Sequence, residues 1–296
     1  MNIVLGTDDK YAMPCGVCLT SLFENNKKLS LNVYILTDGL SDKQRKKFEI
    51  LSDKYKRSIS IIDINETDIS QLKVSQRFSR AIYYRFLIPK ILNDEKYALY
   101  IDCDIIINGS LAVLESLNLD SYACAVVRDQ MCDDIRLTNR IDIKTPYFNS
   151  GVILMNLDYW RKYDIAEKCI NYIYNYPNLC LYPDQDALNK ILSGKVLYLS
   201  VKYNYQEKFY EDKNKVFFSR TMWSEVDQWK NAPVIIHYTS YIKPWFKECV
   251  HPLKNIFVEY RNKSLWKGRA IKYYNLRKKI KEIKEIIVLL YRCLCR

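Results

Sequence analysis

The first hundred residues confine this chain to a narrow set of folds. Short apolar runs recur at 2–7 (NIVLGT), 31–37 (LNVYILT) and 58–64 (SISIIDI), and the segments between them carry helical patterning. The first such segment runs to about Asn25. The second opens at Ser41, where Gln44 three residues on makes a capping box, and runs to about Tyr55. A further helix is expected over 79–92, bearing Tyr83, Tyr84, Phe86 and Leu87. Strands that alternate with helices imply a mostly parallel sheet covered by helices on both faces. Ligands of such sheets bind in the crevice outside the carboxyl ends of the strands. With 296 residues, 49% of them hydrophobic, the chain is long enough to build one large α/β body of this kind. Only 7 Gly and 8 Pro argue against a disordered or linker-rich chain.

Within that frame the stretch ALYIDCDIII (98–107) stands out, because an apolar run is interrupted by Asp102 and Asp104 and then resumes. Carboxylates are costly to bury unless they are paired or bound to a cation. In an extended strand, residues i and i+2 share a face about 6 to 7 Å apart, so the two aspartates would point together and Cys103 the opposite way. Two hard oxygen donors so placed suit one divalent cation that keeps other positions for water or substrate phosphates. Two other readings stay open on these residues alone. The aspartates can simply cap the next turn. Alternatively, hhhhDxD is the nucleophile motif of haloacid dehalogenase-type phosphatases, although that motif closes the first strand of its fold and three strand-like segments come earlier here.

Downstream, strands are expected at 122–127 (YACAVV), 150–156 (SGVILMN), 195–200 (KVLYLS) and 232–238 (APVIIHY), and a helix over 184–193 stopped by Gly194. Residues 201–231 read as a long loop with short helical pieces, a place where specificity resides. The chain has two histidines. His237 closes an apolar run and opens HYTSYIKPW; a neutral imidazole at a strand end is a ligand for divalent cations including Mn²⁺. Lys243 in the same segment can neutralise a phosphate as a point charge. His251, before Pro252, reads as a surface residue. In YPDQDALNKIL (182–192), Asp184 would be the N-cap of the helix and Gln185 would project into the facing cleft. The ten cysteines are scattered, and the CxxC of Cys15 and Cys18 lies in a helical apolar stretch, so packing in the core is expected rather than redox or metal work.

Taken in order, NIVLGTDDKYAMP, SRAIYYRFLIPKIL, ALYIDCDIII, PYFNSGVILMNLDYWR, YPDQDALN and HYTSYIKPW resemble glycosyltransferase family 8 over roughly residues 1–255. The resemblance implies a GT-A fold and a retaining enzyme that uses a nucleotide sugar with Mn²⁺ (or Mg²⁺). By position it assigns Asp102, Asp104 and His237 to the metal. Asp8 and Tyr11 would hold the uracil, with the tyrosine ring stacked on the base, and Lys243 would meet the diphosphate. Arg85, Asn149 and Asp184 would contact the donor sugar, Gln185 would lie beneath the anomeric carbon, and Asp129 would line the sugar or acceptor side. Cys103 and Ser240 fall among the nucleotide-sugar contacts. This chain has Lys10 where the family often has Asn and Ser240 where it usually has Gly. The implied reaction moves galactose or glucose from a UDP-sugar to a lipopolysaccharide or other cell-surface glycan.

The formal net charge of +12 is concentrated at one end: from Arg261 onward there are twelve Lys or Arg against Glu282 and Glu285. Tyr273, Leu276, Ile280, Ile283, Ile287 and Leu290 form one apolar stripe at helical spacing in this segment. The expected organisation is therefore a catalytic domain over 1–260 and a basic amphipathic tail over 261–296 that lies on an anionic membrane. A short coiled-coil seam or docking onto the enzyme's own surface are the alternatives. No secretory signal and no apolar window long enough to span a bilayer is visible, so a peripheral location on the inner face of the cytoplasmic membrane is expected. Nucleic acid is not expected as a partner, since the charge is confined to the tail and no nucleic-acid-binding motif accompanies it.

Overall fold

The computed structural model describes residues 1–65, 69–70, 72, 79–211 and 219–268. Its strands are β1 (Asn2–Gly6), β2 (Asn32–Thr37), β3 (Ser58–Asp63), β4 (Tyr97–Ile101), β5 (Ile105–Ile107), β6 (Cys124–Arg128), β7 (Phe148–Asn156), β8 (Val196–Tyr198), β9 (Tyr205–Gln206) and β10 (Ile235–His237). Seven of them form one sheet in the order β3-β2-β1-β4-β7-β6-β8. Parallel pairing joins β3, β2, β1 and β4, and also β6 with β8. Only β7 runs against its neighbours β4 and β6.

The alternation of side chains along the strands of the large sheet gives it a core on each face. In β1, Ile3 and Leu5 enter one core and Val4 the other; in β4, Leu99 and Ile101 join the first, Ala98 and Tyr100 the second. The first core is closed by the helices Ala12–Asn25 and Asp42–Tyr55 through residues such as Leu19, Leu22, Phe48 and Leu51. The second is closed by Leu157–Lys162, Ile165–Asn175 and Pro183–Ile191 through Trp160, Cys169, Ile173 and Leu188. Cys15 and Cys18 lie fully inside the first core as free thiols, and burial pushes both well above the ordinary thiol range. They pack, as their helical context suggests.

Several elements differ from expectation for identifiable reasons. The segment expected as one helix over 79–92 is a 3-10 helix, Arg80–Leu87, followed by a short α-helix, Ile88–Ile91. Pro89 has no N–H to donate and is tolerated only in a first turn, so the α-helix restarts there. The capping box at Ser41 does not form. The Ser41 hydroxyl donates to Asp9 Oδ1 at 2.6 Å, and Gln44 Oε1 accepts the indole N–H of Trp266 at 2.8 Å. Helix Pro183–Ile191 starts one turn position earlier than expected, with Tyr182 as its N-cap instead of Asp184. Asp186, not Asp184, reaches back to the Tyr182 N–H at 2.8 Å. Gly194 takes a left-handed φ of +71° just beyond the helix end, in keeping with its expected role as a stop.

The strand with the two aspartates is not continuous. It leaves the large sheet at Ile101, turns through Asp102–Asp104, and resumes as β5 in a second sheet of order β5-β10-β9. That small sheet draws β9 from the stretch read as a long loop, which also contains the 3-10 segments Val201–Tyr203 and Glu207–Tyr210 and the helix Arg220–Trp229.

The body also extends past the expected boundary at residue 260. Helix Lys254–Lys263 crosses it, and Trp266 is fully buried against Phe48, with ring centroids 5.1 Å apart. Its ring fills the space that a side chain on Gly16 would need: a Cβ there would lie 2.0 Å from Trp266. The apolar stripe Tyr273–Leu290 lies outside the described residues.

His251 departs from the surface position expected of it. It is buried, not on the surface, with its ring edge-on to Tyr210 and Tyr238 at 4.9 and 4.6 Å between centroids. Its Nδ1 accepts the Leu253 N–H at 3.1 Å, while Nε2 is buried with no hydrogen-bond partner. Burial alone lowers its pKa from 6.5 to about 4. The unfolded chain therefore binds a proton that the folded chain refuses between these values. Stability from this group is intact above about pH 6.5 and falls by roughly 3 kcal/mol as the pH drops toward 4. His251→Asn, which keeps an acceptor for the Leu253 N–H, is expected to flatten that part of the stability profile. Urea denaturation of both proteins between pH 7 and 4 measures it.

Candidate active site

The break in the Asp102 strand builds the centre of the site. Because β10 pairs antiparallel with β5, His237 lies opposite Ile105, and the Tyr238 N–H bonds the Asp104 carbonyl at 3.1 Å. The imidazole is thereby brought beside both carboxylates. His237 Nε2 is 3.3 Å from Asp104 Oδ1 and 3.9 Å from Asp102 Oδ2. One ligand atom from each of these three residues lies within 4.8 Å of the others, the only such cluster of His, Cys, Asp or Glu among the described residues. The convergence expected from an extended strand is real, but its cause is a turn between two sheets.

Gly151 on β7 leaves the room for this approach. A Cβ there would lie 2.4 Å from His237 Cε1 and 2.7 Å from Asp102 Oδ2. An oxygen–oxygen–nitrogen donor set with a side-chain-free wall suits Mg²⁺ or Mn²⁺, so the residues present fit a divalent cation.

Each carboxylate also has a cation of its own. Lys243 Nζ is 2.6 Å from Asp104 Oδ2 and 2.6 Å from the Tyr238 carbonyl. Burial opposes the Asp104 charge, but Lys243 and His237 outweigh it and hold the group well below the usual carboxylate range. Asp102 Oδ1 accepts from Arg85 Nη2 at 3.1 Å and from the Tyr100 hydroxyl at 2.8 Å. Burial prevails there and raises its pKa, with Arg85 acting against it and the Asp104 charge adding to it.

Arg85 is held on several sides. Its side chain is 2% exposed; it donates to the carbonyls of Ile82 and Ser150, to the Tyr100 hydroxyl and to Asp102, and its Nη1 forms an ion pair with Asp184 Oδ2 at 2.9 Å. It therefore ties the metal-ligating turn to the start of helix Pro183–Ile191. Asp184 is itself engaged by Arg85 and by the Ser150 hydroxyl, also at 2.9 Å.

Beside this lies a second polar cluster. Gln185 Oε1 accepts from the Ser150 N–H at 3.0 Å and from Asn149 Nδ2 at 3.1 Å, and its Nε2 donates to Asp129 Oδ2 at 3.2 Å. Asp129 also accepts from Asn149 Nδ2 at 3.2 Å; burial raises its pKa against these hydrogen bonds. Asn149, Asp129 and Gln185 are thus brought together as expected.

The remaining expected residues have partners of their own. Asp8, past the end of β1, accepts the Tyr11 N–H at 2.8 Å. Tyr11 is 40% exposed and meets Trp245 edge-on at 5.8 Å. Cys103 turns its buried thiol into the core, donating to the Gly6 carbonyl at 3.2 Å, so its side chain offers nothing to a ligand. The Ser240 N–H is held by Glu207 Oε2 at 2.9 Å.

Sequence reasoning missed Gly151, Tyr100, Ser150 and Asn204. A signal existed for Gly151: an isolated glycine inside an apolar strand marks a close approach of neighbouring groups. For Asn204, buried between Tyr203 and Tyr205, none was available, because its partners come from other elements.

This arrangement can hold a divalent cation beside a movable lysine, and the comparison with known proteins gives the family. The family described as glycosyl transferase family 8 matches residues 2–249, and the chain belongs to it. It is a retaining glycosyltransferase with a GT-A fold. It is 30% identical over 281 residues to the lipopolysaccharide glucosyltransferase WaaO of Escherichia coli strain K12, covering 92% of this chain and 80% of that one. The lipopolysaccharide 1,3-galactosyltransferase of Salmonella typhimurium strain LT2 is 28% identical over 280 residues, covering 91% and 80%. Among solved structures, the galactosyltransferase LgtC in complex with donor and acceptor sugar analogs superposes with a TM-score of 0.81 at 24% identity, covering 90% of this chain and 96% of that one. The phosphatase reading of Asp102 is set aside by this membership.

The glycine at the metal-ligating wall gives a direct test. Gly151→Ala is expected to keep the overall fold while costing about 1–3 kcal/mol, the usual range for overpacking, because it strikes a buried ring tethered to Asn204 and the Asp102 carboxylate. Urea denaturation followed by circular dichroism measures this; an unchanged midpoint would show that His237 moves freely.

Proposed function

We propose that this protein transfers galactose or glucose from a UDP-sugar, with retention, to the glycan of a lipopolysaccharide or another glycolipid. The observation that carries the reading is the convergence of Asp102, Asp104 and His237 at the carboxyl end of β4, with Lys243 alongside. Asp102, Asp104 and His237 would hold Mn²⁺ (or Mg²⁺). When bound, that ion supplies positive charge to the diphosphate leaving group.

The protein's own residues do the rest. Lys243 turns from Asp104 to the phosphate oxygens, offsetting charge as the bond to the sugar breaks. Asp8 and the exposed ring of Tyr11 hold the uracil. Asn149 and Asp184 orient the sugar, Arg85 fixes Asp184 and Asp102 in place, and Gln185 lies under the anomeric carbon with Asp129 on the acceptor side. The bond from the anomeric carbon to the phosphate oxygen breaks, and the bond to the acceptor oxygen forms on the same face. The acceptor's hydroxyl proton passes to the leaving phosphate. The curated relatives support the acceptor class, since those of Escherichia coli and Salmonella typhimurium are lipopolysaccharide glycosyltransferases.

A UDP-release assay with Mn²⁺ across UDP-galactose, UDP-glucose and UDP-N-acetylglucosamine tests the reaction. Asp104→Ala and His237→Ala should both abolish release and weaken UDP-sugar binding only when Mn²⁺ is present. Gln185→Ala should keep binding and lose turnover. Equal UDP-sugar affinity for Asp104→Ala and the parent at saturating Mn²⁺ would remove the metal assignment. Tight UDP-sugar binding with no release from the parent would mark a silent binding protein.

The basic segment beyond the body is proposed as the membrane contact, placing the enzyme on the inner face of the cytoplasmic membrane. Among the described residues no helix is long and apolar enough to cross a membrane. Each Lys or Arg near an anionic surface contributes about 1 kcal/mol, within a Debye length. Truncation after Gly268, which spares buried Trp266, should release the protein from anionic vesicles in co-sedimentation and leave activity on a small soluble acceptor unchanged. Retention of the truncated form would locate the membrane contact in the body.

A further inference from the structure

We infer that Asn204 is the positioning residue that fixes the tautomer of His237, and that it couples the metal-ligating nitrogen to the polar cluster around Asn149; the ligand half of this inference rests on the metal reading above. The inference follows from tracing which atoms must be donors. The backbone N–H of Gly151 donates to Asn149 Oδ1 at 3.0 Å, and a peptide N–H cannot do otherwise. Asn149 Oδ1 is therefore an acceptor. The opposite end of the same amide faces the Asp129 carboxylate at 3.2 Å, which an amide oxygen would not do. Two independent contacts thus orient Asn149.

The atom of Asn204 that lies 2.8 Å from Asn149 Oδ1 must then be its NH₂ group. Its carbonyl oxygen in turn faces His237 Nδ1 at 2.9 Å. An amide oxygen only accepts, so His237 Nδ1 carries the hydrogen. The proton pattern is thereby passed from a peptide group on β7, through two buried amides, to the imidazole. In the neutral ring Nε2 is left with its lone pair, and Nε2 is the atom aimed at Asp104 and Asp102. Asn204 and His237 are 0% and 4% exposed, so no water need share these bonds.

An acceptor on the far nitrogen of a ligating histidine both fixes the ring and raises its basicity, and its loss typically costs about 10- to 100-fold in metal affinity. The same amide also holds Asn149, so the ring and the sugar-side cluster cannot rearrange independently.

The other histidine supplies an internal reference. His251 Nδ1 accepts a backbone N–H, so its hydrogen is on Nε2. With two histidines in the chain, the test is to label both imidazoles with ¹⁵N and read their long-range ¹H–¹⁵N correlations in metal-free protein near pH 8. The expected result is two different patterns, with Nδ1 protonated in His237 and bare in His251. A bare Nδ1 in His237 overturns the inference whether or not Nε2 is protonated.

Mn²⁺ affinity, read by electron paramagnetic resonance of free ion without any donor sugar, gives the second arm. Asn204→Leu should weaken Mn²⁺ about 10- to 100-fold. Asn204→Asp, which keeps an acceptor for Nδ1 but cannot donate to Asn149, should stay within about threefold of the parent while raising the KM for the UDP-sugar. Equal Mn²⁺ affinity for parent and Asn204→Leu would assign Asn204 a purely structural role. Failure of the parent itself to bind Mn²⁺ would overturn the metal reading and the coupling with it. The ¹⁵N patterns would still decide the tautomer.

Discussion

The break in the chain at Asp102–Asp104 is the constraint on which the site depends. A strand that continued through this point would bury two carboxylates in the large sheet. Instead the chain turns, β4 stays in one sheet, and β5 starts another. The antiparallel pairing of β5 with β10 then sets His237 opposite Ile105, so the approach of its imidazole to the two carboxylates is set by backbone register and not by side-chain packing alone. The junction between the two sheets and the crevice at the carboxyl ends of the parallel strands are one place. Gly151 on β7 completes it by leaving space that any side chain would fill.

The network of buried charge around this turn is balanced within the protein. Arg85 makes four hydrogen bonds and pairs with two carboxylates on different elements, Asp102 and Asp184. A guanidinium so engaged is a brace: it sets the distance between the Asp102 turn and the helix that carries Gln185. Its planar fork serves this purpose where a lysine could not. Removing one member of such a network leaves the others buried and unpaired, which costs far more than a surface ion pair contributes.

Much of this was legible in the sequence. The βα alternation specified the parallel half of the sheet, and six motifs in order specified the family. Asp102, Asp104 and His237 were all identified, although the i, i+2 argument placed the aspartates on a strand that the structure bends into a turn. What could not be read depends on contacts between distant segments. Ser41 and Gln44 have the spacing of a capping box, yet Asp9 and Trp266 offer better partners, and tertiary bonds override the local motif. His251 looked superficial beside Pro252 because nothing nearby announces Tyr210 and Tyr238. The small second sheet was hidden because β9 is two residues long and carries no periodicity. Trp266, in the part of the chain taken for tail, is core because Gly16 leaves a slot for it.

The pairing of each carboxylate with its own cation bears on how the site accepts its ligands. Asp102 is paired with Arg85 and Asp104 with Lys243; the pairing outweighs burial at Asp104 but not at Asp102. The two pairs differ in kind. Arg85 is held by four hydrogen bonds and by ion pairs to Asp102 and Asp184. Lys243 is on the segment after β10, held by one carboxylate and one carbonyl, and its four-carbon stem lets the ammonium move. On the proposed reading, a divalent cation taking Asp104 would leave Lys243 without its carboxylate, and the phosphates of the donor would offer the ammonium a new anionic partner. Cation and nucleotide would then each offset the other's cost, whereas either alone would work against the Lys243–Asp104 pair. The sequence spacing between His237 and Lys243 gives this exchange its geometry, since one short segment delivers both the ligand and the movable charge to the same carboxylate.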